Sequence, residues 1–270
     1  MSYKLAVIGV GNMAKAVISG IQKSDVKVSE IYIFDKNKDQ YNTLTEGKCP
    51  YIMCDSAKIA AEASDCILLA VKPQNYSDVL KELASVKDYN KKLYISIAAG
   101  ITAKSVSLAL GNANVVRVLP NLPMTVGYGV SVICKNSYVN ASDFSFVTSL
   151  FNSSGTTVLI DEDEMNRFIG VTSSSPAYVF KFIDAVYEGA IAQGLSEEGL
   201  IDAVCDVFIG AATLLKQSHE APAQLISRVC SKGGTTEQAM NKLNEANIDN
   251  IILNAMMACT NRADELGKCE

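Results

Sequence analysis

Gly9-Val10-Gly11-Asn12-Met13-Ala14 stands directly behind the apolar run KLAVI and directly ahead of AKAVISGIQK. A GxGxxA turn between a strand and a helix suits one kind of chemistry, because it brings backbone N–H groups and a helix N-terminus up to a diphosphate. Gly9 permits the tight turn, Gly11 lets the main chain approach the anion, and Ala14 lets the helix sit close on the strand. Gly9, Val10, Gly11, Asn12 and Met13 are therefore expected to cradle a dinucleotide. Asp35 ends the second apolar run about 20 residues further on, where an acid hydrogen-bonds a ribose 2′-hydroxyl and favours NADH. Lys36 and Lys38 follow at once and would offset the repulsion of a 2′-phosphate, so NADPH stays open as the cofactor.

A second cluster is Ser231-Lys232-Gly233-Gly234-Thr235-Thr236. Two glycines before a helical stretch expose backbone N–H groups to a carboxylate, and two threonines add hydroxyls at the same end. The same residues would also serve as a plain Gly-Gly helix entry with a hydroxyl cap.

Composition removes several other chemistries. His219 is the only histidine, which disfavours metal sites and histidine-dependent triads, and no metal is expected. The net charge is −5 with no tryptophan and no basic stripe, so nucleic acid is not an expected partner. Cys49, Cys54, Cys66, Cys134, Cys205, Cys230, Cys259 and Cys269 form no CxxC, and several lie in apolar runs, which points to reduced core residues. No apolar run reaches the roughly 18 residues a membrane span needs, and the first residues do not read as a signal peptide. The expected setting is the cytoplasm, without a membrane partner.

The elements that must position these residues follow from periodicity. KLAVIG, EIYIF, PYIM, DCILLAV, LYISIA and NVVRVL alternate with amphipathic stretches, the pattern of a parallel sheet with crossover helices. DCILLAV and LYISIA are almost wholly apolar, as strands covered on both faces are. GVSVICK and TTVLI are expected to complete the sheet edge. From Pro176 on the composition turns helical: PAYVFKFIDAVYEGAIAQ carries a proline in its first turn and Gly194 as a stop. Ser196 is the expected N-cap of the next helix, which is apolar around much of its circumference and so needs more than one partner. The fold expected is α/β, a Rossmann-type doubly wound parallel sheet over residues 1–162 binding NAD(P), then an all-helical dimerisation and substrate domain over residues 163–270.

On these residues the chain resembles the pyrroline-5-carboxylate reductases over essentially its whole length. The family's GxGNMA is met at Gly9 to Ala14, its AVKPQ at Ala70-Val71-Lys72-Pro73-Gln74, and its SIAAGI at Ser96 to Ile101. RVMPNxP is matched with one change at Arg117 to Pro123, PAY at Pro176 to Tyr178, and SPGGTT with one change at Ser231 to Thr236. AVKPQ and AAGI fall just past strand ends, where open α/β sheets bind ligands, so Ala70, Val71, Lys72, Pro73 and Ala98 join Asp35 and Lys36 as cofactor residues. The resemblance implies an enzyme that passes hydride from NADPH or NADH to the C=N bond of 1-pyrroline-5-carboxylate, giving L-proline, and that works as a homodimer or larger assembly. It implies that Thr236 hydrogen-bonds the substrate's ring nitrogen as the catalytic residue. Gly234 and Thr235 would help hold the carboxylate, Ser231 and Gly233 would be further substrate-binding residues of the same loop, and Glu162 would lie near the substrate.

Three departures stand out. Gly-Ser-Gly before PAY is here Ser173-Ser174-Ser175, the proline of SPGG is Lys232, and the ribose end carries Asp35-Lys36 where many members carry Asn-Arg or Ser-x-Arg. Two rival readings share the glycine turn. A β-hydroxyacid dehydrogenase would use a helix lysine such as Lys181, but its glycine-rich substrate signature is missing. A non-catalytic NAD(P)-binding regulator would explain the departures, though not the intact AVKPQ, RVLPNLP and GGTT.

Overall fold

The computed structural model describes residues 2–44 and 47–268. Strand β1 (Tyr3–Ile8) leads into α1 (Asn12–Lys23); β2 (Val28–Phe34), β3 (Tyr51–Met53), α2 (Ala57–Glu62) and β4 (Cys66–Leu69) follow. Next come α3 (Tyr76–Leu83), β5 (Leu93–Ser96), α4 (Ala103–Ala109), β6 (Asn114–Leu119), β7 (Gly129–Lys135), α5 (Ala141–Asn152) and β8 (Gly155–Leu159). The strands form one sheet in the order β3-β2-β1-β4-β5-β6-β7-β8. Strand order reverses at β1, from which the chain steps outward to β2 and β3 and then returns to lay β4 parallel on the other side, which opens a crevice beyond the carboxyl ends of β1 and β4.

Every strand anticipated from the alternation is present, with one difference in direction. β7 runs antiparallel to β6, while β8 runs parallel to β7. The cause is connection length. A parallel return needs a crossover of a dozen or more residues, whereas β6 and β7 are joined by a short segment with a single 3-10 turn, Leu122–Val126. Between β7 and β8 there is room for α5, and parallel order resumes.

Burial explains the near-continuous apolar strands. All four residues of β4 and all four of β5 are buried. One side of the sheet packs against α1 and α5 through Val17, Ile21, Val147 and Phe151, the other against α2, α3 and α4 through Ala60, Val79, Leu83 and Val106.

After β8 the chain is helical: α6 (Met165–Phe168), a π turn at Ile169–Ser173, α7 (Ser175–Ala192), α8 (Leu200–Ser218), α9 (Pro222–Val229), α10 (Thr235–Glu245) and α11 (Ile248–Lys268). Contacts group residues up to Ser174 with those from Met256 onward as one compact unit, and Ser175–Ala255 as another. In the first unit, Met165 and Ile169 join Ala263 of α11 in a cluster with Leu119, Val132 and Cys134.

Helix α7 has Pro176 in its first turn and stops near Gly194, which takes the left-handed φ of +86°. The next helix begins later than Ser196. Gly199, at φ +70°, precedes Leu200 as the cap, and the Ser196 hydroxyl instead accepts the Glu198 N–H at 3.3 Å. Serine's short-range turn wins over capping because Gly199 supplies a sharper entry. At the far end of α8, His219 takes φ +57° and closes the helix.

Within Ser175–Ala255, Val204 is the single buried hydrophobic residue. Phe180, Val207, Ile209 and Val229 are each more than half exposed. A helical unit with so small a core cannot offset its own chain entropy. Among the described residues, no helix is long and apolar enough to cross a membrane. Cys269 lies outside the described residues.

Candidate active site

The glycine turn and AVKPQ meet at the end of β1. Gly9 adopts φ +91°, and a Cβ there would sit 2.8 Å from the Ala70 carbonyl oxygen. Nothing would lie within 4 Å of a Cβ on Gly11, so the space before α1 is open. Gly11 caps α1 without any side-chain hydrogen bond, which leaves first-turn N–H groups for an incoming anion. Asn12 and Met13 are the first two residues of that helix. Open space and uncapped donors are what a diphosphate requires, so the residues present fit a dinucleotide.

A cavity of about 340 Å³ runs along this crevice. Its walls include Gly9, Gly11, Asp35, Lys36, Ala70, Val71 and Lys72. Residues separated by more than sixty positions in sequence thus come together, because β1 lies between β2 and β4. Val10 is fully buried and acts through its main chain, donating its N–H to Asp35 Oδ2 at 2.6 Å. Pro73 opens the 3-10 turn Pro73–Asn75 beyond β4, and Ala98 is buried just past β5. Gln40 and Asn75 also line the cavity and were not anticipated. Gln40 accepts a hydrogen bond from Lys15 Nζ at 2.7 Å, and a polar residue in a surface turn carries no sequence signal for such a role.

The GGTT loop forms the entry to α10. Gly233 takes φ +74°, which favours glycine, and a Cβ on Gly234 would come 2.5 Å from Ser231 Oγ. The two glycine N–H groups are not free as their sequence context suggests. Gly234 donates to the Ser231 carbonyl at 2.9 Å, and Gly233 donates to the Glu237 carboxylate at 2.8 Å. Gly234 provides no side-chain cap, so the donors left at this helix end are the N–H groups of the first turn, from Thr235 onward. Thr236 lies on the wall of an apolar hollow of about 450 Å³ lined by residues of α8, α9 and α10, among them Leu214, Leu225 and Met240.

RVLPNLP reaches in another direction. Arg117, on β6, is 1% exposed; its guanidinium donates to Asn166 Oδ1 at 2.8 Å and lies 3.7 Å from Glu162. Burial pushes the Arg117 pKa down, while the Glu162 charge opposes the shift. Glu162 also accepts the Ala103 N–H at the start of α4. Glu162 therefore sits in the first unit as the counter-charge of a buried arginine and as an anchor for a helix end. Asn121 donates to the Thr172 carbonyl at 3.0 Å and accepts the Val130 N–H at 2.9 Å. The Ser173 hydroxyl donates to the Pro120 carbonyl at 3.5 Å. One departure thus gains a contact: serine replaces the family's glycine where its hydroxyl meets the RVLPNLP turn.

Lys181 does not have the setting of a catalytic base. Its Nζ is 2.7 Å from Asp184 Oδ2 on an exposed helix face, and that hydrogen bond and charge push its pKa up. A base for neutral pH needs the opposite shift.

Residues 162–266 match a family model described as pyrroline-5-carboxylate reductase dimerisation, and residues 4–100 match one described as coenzyme F420-dependent NADP oxidoreductase. Pyrroline-5-carboxylate reductase of Vibrio alginolyticus is 34% identical over 268 residues, 98% of each chain. The solved structure of a pyrroline-5-carboxylate reductase from Coxiella burnetii superposes with a TM-score of 0.88 at 29% identity, covering 98% of this chain and 99% of that one. Plasmodium falciparum pyrroline carboxylate reductase, solved with NADP bound, gives 0.84 at 27% identity and 98% coverage of both.

Proposed function

This chain belongs to the pyrroline-5-carboxylate reductase family, and we infer that it reduces 1-pyrroline-5-carboxylate to L-proline, the last step of proline biosynthesis, as a self-associated cytoplasmic enzyme. The observation that carries the reading is the open, donor-lined crevice formed where the Gly9 turn meets Ala70. It is a site for a pyridine nucleotide.

Gly9 to Met13 would hold the diphosphate, Asp35 and Lys36 the adenosine ribose, and Ala70 to Pro73 with Ala98 the nicotinamide half. The bound reduced nicotinamide supplies the hydride for C5 of the imine. Residues 231–236 hold the substrate: first-turn N–H groups of α10 take the carboxylate, with Ser231, Gly233, Gly234 and Thr235 shaping the loop. The Thr236 hydroxyl orients the ring nitrogen, accepting from it once it is protonated. Little acid–base work is asked of the protein, since the imine protonates readily, and catalysis is chiefly a matter of position. Glu162 assists from outside this loop, through Arg117 and the start of α4. In function the chain divides into a nucleotide domain, 1–162, and a dimerisation and substrate domain, 163–270, a boundary that follows the matched segment 162–266. Self-association explains the bare helices, because a second copy would cover apolar surface that Ser175–Ala255 leaves exposed.

The test is turnover of purified protein with 1-pyrroline-5-carboxylate and either nucleotide, wild type against Thr236→Ala. Loss of one hydrogen bond to a charged group predicts a roughly 10–100-fold drop in kcat/KM with nucleotide binding intact. No turnover with either nucleotide would overturn the reading, and an unaffected Thr236→Ala would remove that residue from the chemistry.

A further inference from the structure

We propose that Asp35 makes this enzyme prefer NADH over NADPH, through a carboxylate that the fold locks at the ribose edge of the cofactor cavity. The proposal rests on the reductase reading only in that a pyridine nucleotide occupies that cavity.

Both carboxylate oxygens are fixed by main-chain donors, Oδ2 by Val10 at 2.6 Å and Oδ1 by Asn37 at 2.8 Å. Its own backbone is pinned as well: the Asp35 N–H donates to the Tyr41 hydroxyl at 2.8 Å, and that hydroxyl donates to the Asp35 carbonyl at 3.2 Å. A flexible acid could swing aside for a 2′-phosphate. This one cannot without stranding the N–H of Val10, a fully buried residue. Each carboxylate oxygen keeps a further lone pair, so a ribose hydroxyl can still donate to it. A 2′-hydroxyl gains a hydrogen bond at this spot, and a 2′-phosphate meets a fixed negative charge.

The nearby cations do not cancel that charge. Lys15 is engaged with Gln40 at 2.7 Å, and Lys38 lies 3.7 Å from Asp55 in an exposed pair. Lys36 and Lys72 are left on the cavity wall, both exposed; Lys36 adjoins Asp35 at the end of β2, whereas Lys72 follows β4. Beside Asp35 one exposed lysine, ordered at an entropic cost, faces one rigid carboxylate. Rigid charge prevails, and a discrimination of about tenfold or more is expected.

Calorimetric titration of NADH and NADPH into the substrate-free enzyme, alongside kcat/KM with each, tests this on wild type, Asp35→Asn and Lys36→Ala. Asparagine keeps an oxygen for one backbone donor, and Lys36 is a surface position, so both variants should fold; melting curves check that they do. Expected results are tighter NADH binding by wild type, a ratio that collapses in Asp35→Asn mainly because NADPH tightens, and a wider ratio in Lys36→Ala. Equal affinities or tighter NADPH in wild type would overturn the proposal while leaving the reductase reading standing, as would an unchanged ratio in Asp35→Asn. Binding of neither nucleotide would overturn both.

Discussion

The α-carbon of Gly9 packs against the carbonyl of Ala70, so that the space a β-carbon would need is already filled at 2.8 Å. Two motifs sixty residues apart therefore depend on one glycine. Gly9→Ala combines this clash with strain at φ +91°, a backbone cost of about 1–3 kcal/mol before the clash is counted. Nucleotide affinity should fall by tenfold or more. Nucleotide titration and a thermal melt of the variant measure the two effects separately, and wild-type affinity would show that the loop can shift.

Glu237 holds the Gly233 N–H at 2.8 Å. Its carboxylate reaches back over the first turn of α10, in the manner of one half of a capping box. Glu237→Ala should loosen the loop that presents Thr235 and Thr236, raising KM for the imine several-fold with a smaller change in kcat. A hydrogen bond of this kind contributes roughly 1 kcal/mol. Nucleotide affinity, read by titration, should not move; a change there would mean that the residue acts elsewhere.

Alkaline pH should destabilise the fold. Burial pushes the Cys66 thiol well up and the Cys134 thiol up to about 12, and it raises Tyr94 as well. Tyr3 rises to about 12, first through burial and then through its hydrogen bond to Asp143. For each group the folded value lies above the unfolded one, so the stabilisation is complete below the unfolded pKa, near 9 for thiols and near 10 for tyrosines. Above those values it is lost, by at most about 1.4 kcal/mol per pH unit for each group. Urea midpoints should hold level from neutral pH to about 8.5 and then fall. A flat profile to pH about 10.5 would contradict the buried-thiol account.

Val207 is 68% exposed on α8, a helix whose one buried residue is Val204. Val207→Asp should yield monomers in light scattering and abolish turnover, since an unpaired charge cannot be tolerated in an apolar interface. A fully active dimer would place the interface on another helix face.

Much of this was legible in the sequence, and the pattern of success has a cause. Strands β1 to β6 were readable because two-sided burial writes itself as short apolar runs, and α7 because a proline and a glycine mark its two ends. The Ser196 cap was misread because serine serves turns and helix starts alike, and only Gly199's left-handed backbone decides between them. For Gly233 and Gly234 local sequence leaves exposed donors and a plain helix entry both open, and it does not rank the side chain and the carbonyl that occupy their N–H groups.

By itself, then, the sequence determined what is written within a few residues or one periodicity: the sheet with its crossover helices, the dinucleotide turn, the helical second half and the motifs of the family. Tertiary structure alone decided what depends on partners distant along the chain. Those are the antiparallel turn into β7, the burial of Arg117 against Glu162 and Asn166, the contact of Gly9 with Ala70, and the clamp of Val10 on Asp35. Periodicity reports which face of an element is buried, whereas register and neighbour identity are set by the packing of whole elements, and the chemistry of a site lives in the latter.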